Sequence, residues 1–209
     1  MQFDEAFRAE LADLFAWRRD VRRFRREALP EGCLERLVRL ACLAPSVGLS
    51  EPWRFVRVDD AGRRAAVRTS FARCNAAALA AQADHRAGLY ARLKLAGLDD
   101  APCHFALFAD HATGQGHGLG RATMPEMLDY SAVLALHTLW LAARAEGLGL
   151  GWVSILDPAE VAGVLDVPAA WRLLGYFCLG WPEAETEVPA LQQAGWEQRR
   201  GAGAVLLER

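Results

Sequence analysis

The run "LDYSAVLALHTLWLAARAEG", residues 128–147, decides the fold. It is apolar on nearly every side of a helix, so it reads as a buried central helix, with Gly147 placed to cap its C-terminus. Downstream, "LGWVSIL" (150–156) reads as a strand and "DPAEVAGVLD" (157–166) as a short helix opened by Pro158. "RLLGYFCLGW" (172–181) reads as a last buried strand. Upstream, "HATGQGHGLGRATMPEM" (111–127) is too rich in glycine for a helix and too long for a simple turn, which marks it as a functional loop. Before it, "HFALFAD" (104–110) is a short apolar strand, residues 61–82 are helical, and "RFVRV" (54–58) alternates as a half-buried strand does. Two further helices are expected. One spans residues 4–17, with Asp4 as N-cap and Phe7, Leu11, Leu14 and Phe15 at helical spacing. The other spans Glu31 to Leu43, with Leu34, Leu37, Val38 and Cys42 on one face and Pro45 beyond it. Helices and strands interleave without a linker, so the expectation is one α+β or α/β domain.

Composition narrows the function. The chain has 209 residues, 53% of them hydrophobic, including seven Trp and nine Phe, which is enough for a sizeable core. Its 24 basic and 26 acidic residues leave a net charge of −2, so the "WRRDVRRFRR" cluster at 17–26 is local, and a non-specific nucleic-acid binder is disfavoured. All the basic residues but Lys94 are Arg, so only the clustering of Arg carries information. Five scattered cysteines with no C-x-x-C pair read as neither a disulfide framework nor a zinc site. They suit small apolar positions in a reducing compartment. "MQFDEAFRAEL" is unlike a signal peptide, and no apolar run approaches a membrane span. A cytoplasmic protein without membrane or nucleic-acid partners is expected.

Several motifs fail on inspection. "GQGHGLG" (114–120) and "GLGLG" (147–151) lack G-x-G-x-x-G between a strand and a helix. The five histidines show no ligand spacing, and His137 reads as a satisfied core residue of the central helix. No G-x-S-x-G elbow surrounds Ser154, so neither a metal site nor a Ser-His-Asp hydrolase follows. Arg18, Arg19 and Arg22 sit at the end of the first helix. There they either complement its dipole or form a bidentate phosphate clamp, and spacing alone leaves both open. Two other segments favour the clamp. "LAPSVGLSEPWRF" (43–55) places Ser46, Gly48, Ser50, Glu51 and Trp53 where a backbone can approach a ligand, and Ser154 stands where a buried strand ends. Together they suit a phosphorylated, flat, heteroaromatic ligand.

These segments also carry a family resemblance. "RRDVRRF", "APSVGLSEPWRFV", "LKLAGLDDAP", "LGRATMPEM", "YSAVLALHTLWLAARAEGLGLGWVSILDP" and "GWEQR", between about Leu14 and Arg199, resemble the nitroreductase-like flavoproteins in order. Within them the chain is most similar to the family of 5,6-dimethylbenzimidazole synthases, which resemble it in Asp20 where general nitroreductases tend to carry Ser, and in Ser154 of "GWVSI".

The resemblance implies an α+β, nitroreductase-like fold with a mostly antiparallel central sheet flanked by helices. It also implies an intertwined homodimer with FMN at the subunit interface. Residues 1–209 would form one FMN-binding domain, with about 75–100 as a lid. It assigns Arg18, Arg19, Arg22 and Arg199 to the FMN phosphate, Ser46 and Gly48 to the flavin site, and catalytic roles to Asp20 and Ser154. The implied reaction consumes reduced FMN and O2, without metal, and releases 5,6-dimethylbenzimidazole, the lower ligand of cobalamin, and erythrose 4-phosphate. A separate flavin reductase would supply the reduced FMN. An NAD(P)H-dependent flavin reductase or nitroreductase, and a non-enzymatic FMN carrier, are the alternatives. One departure stands out: Glu51 occupies the place of a family Gln, and an ionised acid cannot donate an amide hydrogen bond.

Overall fold

In chain order the backbone forms α1 (Glu5–Trp17), α2 (Cys33–Ala41), β1 (Trp53–Arg57), α3 (Ala61–Ala80), α4 (Asp84–Tyr90) and α5 (Gly97–Asp100). There follow β2 (Cys103–Asp110), α6 (Met127–Ala145), β3 (Gly149–Val153), α7 (Pro158–Leu165), β4 (Trp171–Gly180) and α8 (Ala190–Gln193). Short 3-10 turns at Val47–Leu49 and Gln115–Gly118 lie in the two glycine-bearing loops. This computed structural model describes residues 1–91, 93, 96–201, 203 and 205–207. Lys94 and Leu95 of the "LKLAGLDDAP" segment lie outside the described residues, as do the side chains of Asp84 and His85.

The caps follow the sequence signals. Asp4 accepts the Phe7 N–H at 2.9 Å to start α1, and Asp157 accepts from Ala159 and Glu160 ahead of Pro158 in α7. Gly147 adopts φ +77 beyond α6, where the Gly147 and Leu148 N–H groups return to the Arg144 and Ala143 carbonyls.

The strands form one sheet in the order β1-β2-β4-β3, antiparallel at every pairing, which makes the fold α+β. The central strands are covered on both faces and so read as continuous apolar runs rather than alternating ones. On one face Phe105 and Leu107 of β2 and Phe177 and Leu179 of β4 pack under α2 and α6. On the other, Ala106, Phe108, Tyr176 and Cys178 pack against Val67 of α3 and Val161 and Leu165 of α7. The α6 residues Leu128, Ala132, Ala135, Leu136, Leu139 and Ala143 form the buried stripe, and each such leucine contributes about 2 kcal/mol of apolar burial.

Two expectations fail here. His137 is exposed rather than a core residue, on a side of α6 where Tyr130 and Leu134 are 50% and 47% exposed. Cys42 is also exposed, because α2 ends at Ala41 and Ala41 takes the buried position. Likewise α1 buries none of its residues, and Phe7 and Phe15 remain open. Among the described residues, no helix is long and apolar enough to cross a membrane.

Inside the sheet, His104 lies between Tyr176 and the backbone. Its Nδ1 is 3.0 Å from the Tyr176 hydroxyl and its Nε2 3.1 Å from the Ala101 carbonyl. A neutral ring satisfies both: Nε2–H donates to Ala101 and Nδ1 accepts from the phenol, whose own pKa burial raises. Burial, aided by Arg64, lowers His104 from 6.5 to about 4. Between those values the unfolded chain takes up a proton that the folded chain refuses. Stability is therefore full above pH 6.5 and declines as the pH falls towards 4, by at most about 3 kcal/mol from this group. Urea midpoints measured from pH 7.5 to 4.5 should fall for the wild type and fall less steeply for His104→Gln. Equal slopes would remove His104 as the source.

Candidate active site

Residues 18–26 leave α1 as extended chain rather than as more helix. The Arg18 N–H closes α1 on the Leu14 carbonyl at 3.0 Å, then Asp20 bridges Leu150 in the parallel sense and Val21 N–H donates to Leu150 O at 3.0 Å. Farther on, Arg25 N–H donates to Trp181 O at 2.8 Å, and Phe24, 2% exposed, bridges Pro182. The segment thus covers the free edge of β3. Only glycine permits this approach: a Cβ at Gly149 would lie 2.6 Å from Val21 Cγ2, and one at Gly151 would overlap the Val21 carbonyl oxygen. Gly149 and Gly151 of the "GLGLG" pattern serve the close approach of Val21, not a dinucleotide.

This seating aims the charged side chains. Asp20 Oδ1 accepts the Trp152 N–H at 2.9 Å, and its Oδ2 lies 4.0 Å from Arg22 Nε. Although 42% of its side-chain surface is open, burial at the base of the recess pushes the carboxyl above the usual carboxylate range. The Trp152 N–H, Arg22 and Arg18 pull the other way. The Arg18 guanidinium lies 4.8 Å above the Trp140 ring, Trp140 Nε1 donates to Arg19 O at 3.1 Å, and Arg19 Nε donates to Thr186 O at 3.2 Å. Burial lowers the pKa of both Arg18 and Arg19, and the charge of Arg199 lowers each further. These guanidiniums are held by the scaffold and crowd one another, unlike a solvated helix end. Arg23, Arg25 and Arg26 are exposed, and Arg26 pairs with Asp100 at 2.7 Å.

Two adjoining recesses meet at this segment. One, of 330 Å³, is lined by Arg18, Arg19, Arg22 and Arg199 with Gln192 and Glu197. The other, of 300 Å³, is lined by Ser154, Trp152, Phe71, Asn75, Tyr90 and Trp196. Asp20, Arg22 and Leu191 border both, so an anionic end and a flat end of one ligand have neighbouring places. A larger hollow of 350 Å³ behind Arg19–Arg23 contains neither Ser154 nor Arg199 and is bordered by the Arg144–Glu185 ion pair, 2.7 Å apart. The structure thus brings six of the expected residues together: Arg18, Arg19, Asp20, Arg22, Ser154 and Arg199.

Ser46 and Gly48 lie elsewhere. Ser46 Oγ accepts the Glu51 N–H at 3.1 Å, the Val47 N–H donates to Ser131 Oγ at 3.0 Å, and Gly48 packs against the backbone of Gly116 and Leu119. Ser131 stands near the start of α6 and Trp140 nine residues on, so the Ser46 turn and the arginine segment are about 14 Å apart along that helix. Glu51 accepts from Gln115 Nε2 at 3.2 Å, and His111 Nε2 meets Asp129 Oδ1 at 2.8 Å. Among the described residues, no cluster of three His, Cys, Asp or Glu could hold a metal ion. Sequence reasoning missed Asn75, Tyr90 and Trp152. The available signal was that Asn75 is the only asparagine of the chain, set in an alanine-rich helix.

Residues 15–181 match the model of the nitroreductase family. The chain belongs to the nitroreductase family. It is 58% identical to a 5,6-dimethylbenzimidazole synthase of Rhodospirillum rubrum over 95% of this chain and 94% of that protein. It is 46% identical to the 5,6-dimethylbenzimidazole synthase of Rhodobacter capsulatus over 95% of this chain and 96% of the relative. Its fold matches that of an oxidised iodotyrosine deiodinase solved with FMN and 3-iodo-L-tyrosine, with a TM-score of 0.71, 25% identity, and 84% and 91% of the two chains covered. The nitroreductase-like fold expected from the sequence is present.

For this member of the family, the glycine edge of β3 carries a direct test. Gly151→Ala should displace Val21, costing about 1–3 kcal/mol and lowering the melting temperature by roughly 3–10 °C. An unchanged melting temperature would show that the segment is not seated there.

Proposed function

We propose that the chain is a 5,6-dimethylbenzimidazole synthase: an enzyme that fragments reduced FMN with O2 to 5,6-dimethylbenzimidazole and erythrose 4-phosphate, the base serving as the lower ligand of cobalamin. The observation that carries this reading is Asp20, a carboxylate set among the arginines of one recess and opening, with Ser154, onto the next. A flavin carrier has little use for a partly buried base there, and the high identity to named synthases over the whole length supports the same reading.

The residues fit FMN. Arg18 and Arg19 are pulled down by burial and by Arg199, and a phosphate dianion would relieve that crowding through bidentate hydrogen bonds. Arg18, Arg19, Arg22 and Arg199 therefore take the phosphate, and the neighbouring recess takes the ring. Bound reduced FMN supplies both the electrons for O2 and the carbon skeleton that is broken. Asp20 Oδ1 is committed to the Trp152 N–H, so Oδ2 is the atom that would take and return protons during the cleavage. Its raised pKa makes it a stronger base than a free carboxylate. Ser154 Oγ orients the reacting ring edge by a hydrogen bond. The region 75–100 acts as a lid that excludes water, tied down where the Ala96 N–H donates to Arg22 O at 3.1 Å. Reduced flavin comes from a separate reductase, and five free cysteines suit a reducing, cytoplasmic setting.

A homodimer completes the reading. The open stripe of α6, with Tyr130 and Leu134, and the uncovered Phe7 and Phe15 of α1 are apolar surfaces that a second copy would bury. That copy would also bring its Ser46–Gly48 turn to the flavin.

Photoreduced FMN incubated with the protein and then exposed to air should yield 5,6-dimethylbenzimidazole by mass spectrometry. Asp20→Asn should bind FMN within about threefold of the wild type yet form product at least ~100-fold more slowly. Intact, reoxidised FMN together with NAD(P)H turnover would identify a reductase instead. Product at the wild-type rate from Asp20→Asn would remove the proton-transfer role.

Light scattering should give twice the 22.9 kDa chain mass for the wild type. Leu134→Glu should give the single-chain mass and lose FMN affinity, whereas a wild-type monomer that binds FMN tightly would rule out the shared site.

A further inference from the structure

The recess holding Ser154 has a polar wall to which the function above gives no role. Asn75, on α3, lines that recess and also the hollow beneath the lid formed by Phe71, Leu79, Tyr90 and Ala96. Its Oδ1 accepts the Tyr90 hydroxyl at 2.9 Å, and Tyr90 ends α4, the helix of the lid. Tyr90 is itself fixed against Trp196, with ring centroids 6.2 Å apart, and the Arg86 guanidinium covers Trp196 at 5.3 Å. The phenol thereby engages the oxygen of the amide. With its oxygen engaged by the phenol, its Nδ2 has no protein partner among the described residues.

The complement of groups around this recess shows what is missing without that amide. Asp20 presents an acceptor and Arg22 a charge at the side shared with the phosphate recess, while Ser154 offers a hydroxyl at the end of β3. Most of the remaining wall, including Phe71, Leu93, Trp152 and Trp196, is aromatic or aliphatic and can cover a flat ring. Asn75 adds a neutral amide donor from α3.

We propose that Asn75 is a specificity-determining residue. Its Nδ2–H donates to an acceptor atom, a carbonyl oxygen or imine nitrogen, on the edge of the heteroaromatic ring in this recess. Tyr90 is its positioning residue, and the bond between them forms only when the lid helix is down. Identifying the ring as a flavin rests on the function proposed above; the donor role rests on the geometry of the recess. One amide N–H tells an acceptor edge from an apolar one because the acceptor would otherwise lose water without replacement.

Lumiflavin, which has the ring without the phosphate tail, isolates this recess from the arginines. Fluorescence titrations of lumiflavin and of oxidised FMN should be run on the wild type, Asn75→Asp, Asn75→Ala and Tyr90→Phe. Asn75→Asp is nearly isosteric and still accepts from Tyr90, but it turns an oxygen towards the ring. It should weaken both ligands at least ~10-fold, by the same factor for each, and Asn75→Ala should do so by about 3–10-fold. Tyr90→Phe should cost about threefold by releasing the amide. Melting temperatures should stay within about 3 °C of the wild type, which a purely structural role for Asn75 would not allow. Asn75→Asp binding lumiflavin as tightly as the wild type would overturn the donor role, and a loss confined to FMN would place Asn75 at the tail instead. These titrations need no turnover. Wild-type protein that returned all its reduced FMN intact would sink the synthase reading and leave the test of Asn75 standing.

Discussion

Val21 fills the space that side chains at positions 149 and 151 would need, its own side chain against Gly149 and its carbonyl oxygen against Gly151, and the rest of the site depends on that contact. With glycine at both places the segment after α1 comes close enough for the Val21 N–H to reach Leu150 O. Asp20 is then opposite the Trp152 N–H, and its neighbours Arg18, Arg19 and Arg22 are fanned towards one side. The same contact closes the exposed edge of β3, which otherwise would offer unpaired backbone groups to another chain. Ala96 is fastened to it through Arg22 O and the segment at Trp181 through Arg25 N–H. A single backbone seat therefore sets the positions of Asp20, of the three arginines and of Ala96.

Holding those groups together has an electrostatic cost, and its sign is informative. Burial pushes the Asp20 carboxyl up while Trp152, Arg22 and Arg18 pull it down, so neither effect alone sets its protonation. Arg18 and Arg19 are held below the usual guanidinium value, first by burial and then by Arg199. Each charge is thus less comfortable than it would be in water, and a phosphate would relieve the cations without needing them to move. Trp140 under Arg18 and the Thr186 carbonyl on Arg19 fix the directions in advance. Such preorganisation spares the arginines any reorganisation when an anion arrives.

The main elements were legible in the sequence because each has a local signal: Asp4 as a cap, Pro158 at a helix start, Gly147 at a helix end, and continuous apolar strands at the middle of a sheet covered twice. The site was legible in part. Asp20, Ser154 and four arginines converge because the segment and β3 pair directly. What was not legible depended on partners. The glycines at 149 and 151 have no meaning until Val21 is placed against them, and an apolar stripe on α6 shows that burial is needed without saying what provides it. His137 was assigned to the core on that basis, although its own side of the helix is open. Asn75 was overlooked because a lone amide in an alanine-rich helix becomes informative only when Tyr90 takes its oxygen.

The separation of Ser46 and Gly48 from the arginines follows from the same helix. The Ser46 turn is pinned near the start of α6 by Ser131, and the arginine segment near its end by Trp140. On the proposed dimer, a two-fold axis crossing the open stripe of α6 would set two copies of this helix antiparallel. The start of one would then lie beside the end of the other. Such an isologous contact would bring the second copy's Ser46–Gly48 turn across to the arginine recess and, by symmetry, do the reverse on the far side. About 14 Å of helix then becomes the spacing between a protomer's two half-sites rather than a defect in either. Tyr130 and Leu134 would lie in that contact, so the residues that hold the copies together are carried by the same helix that positions both halves.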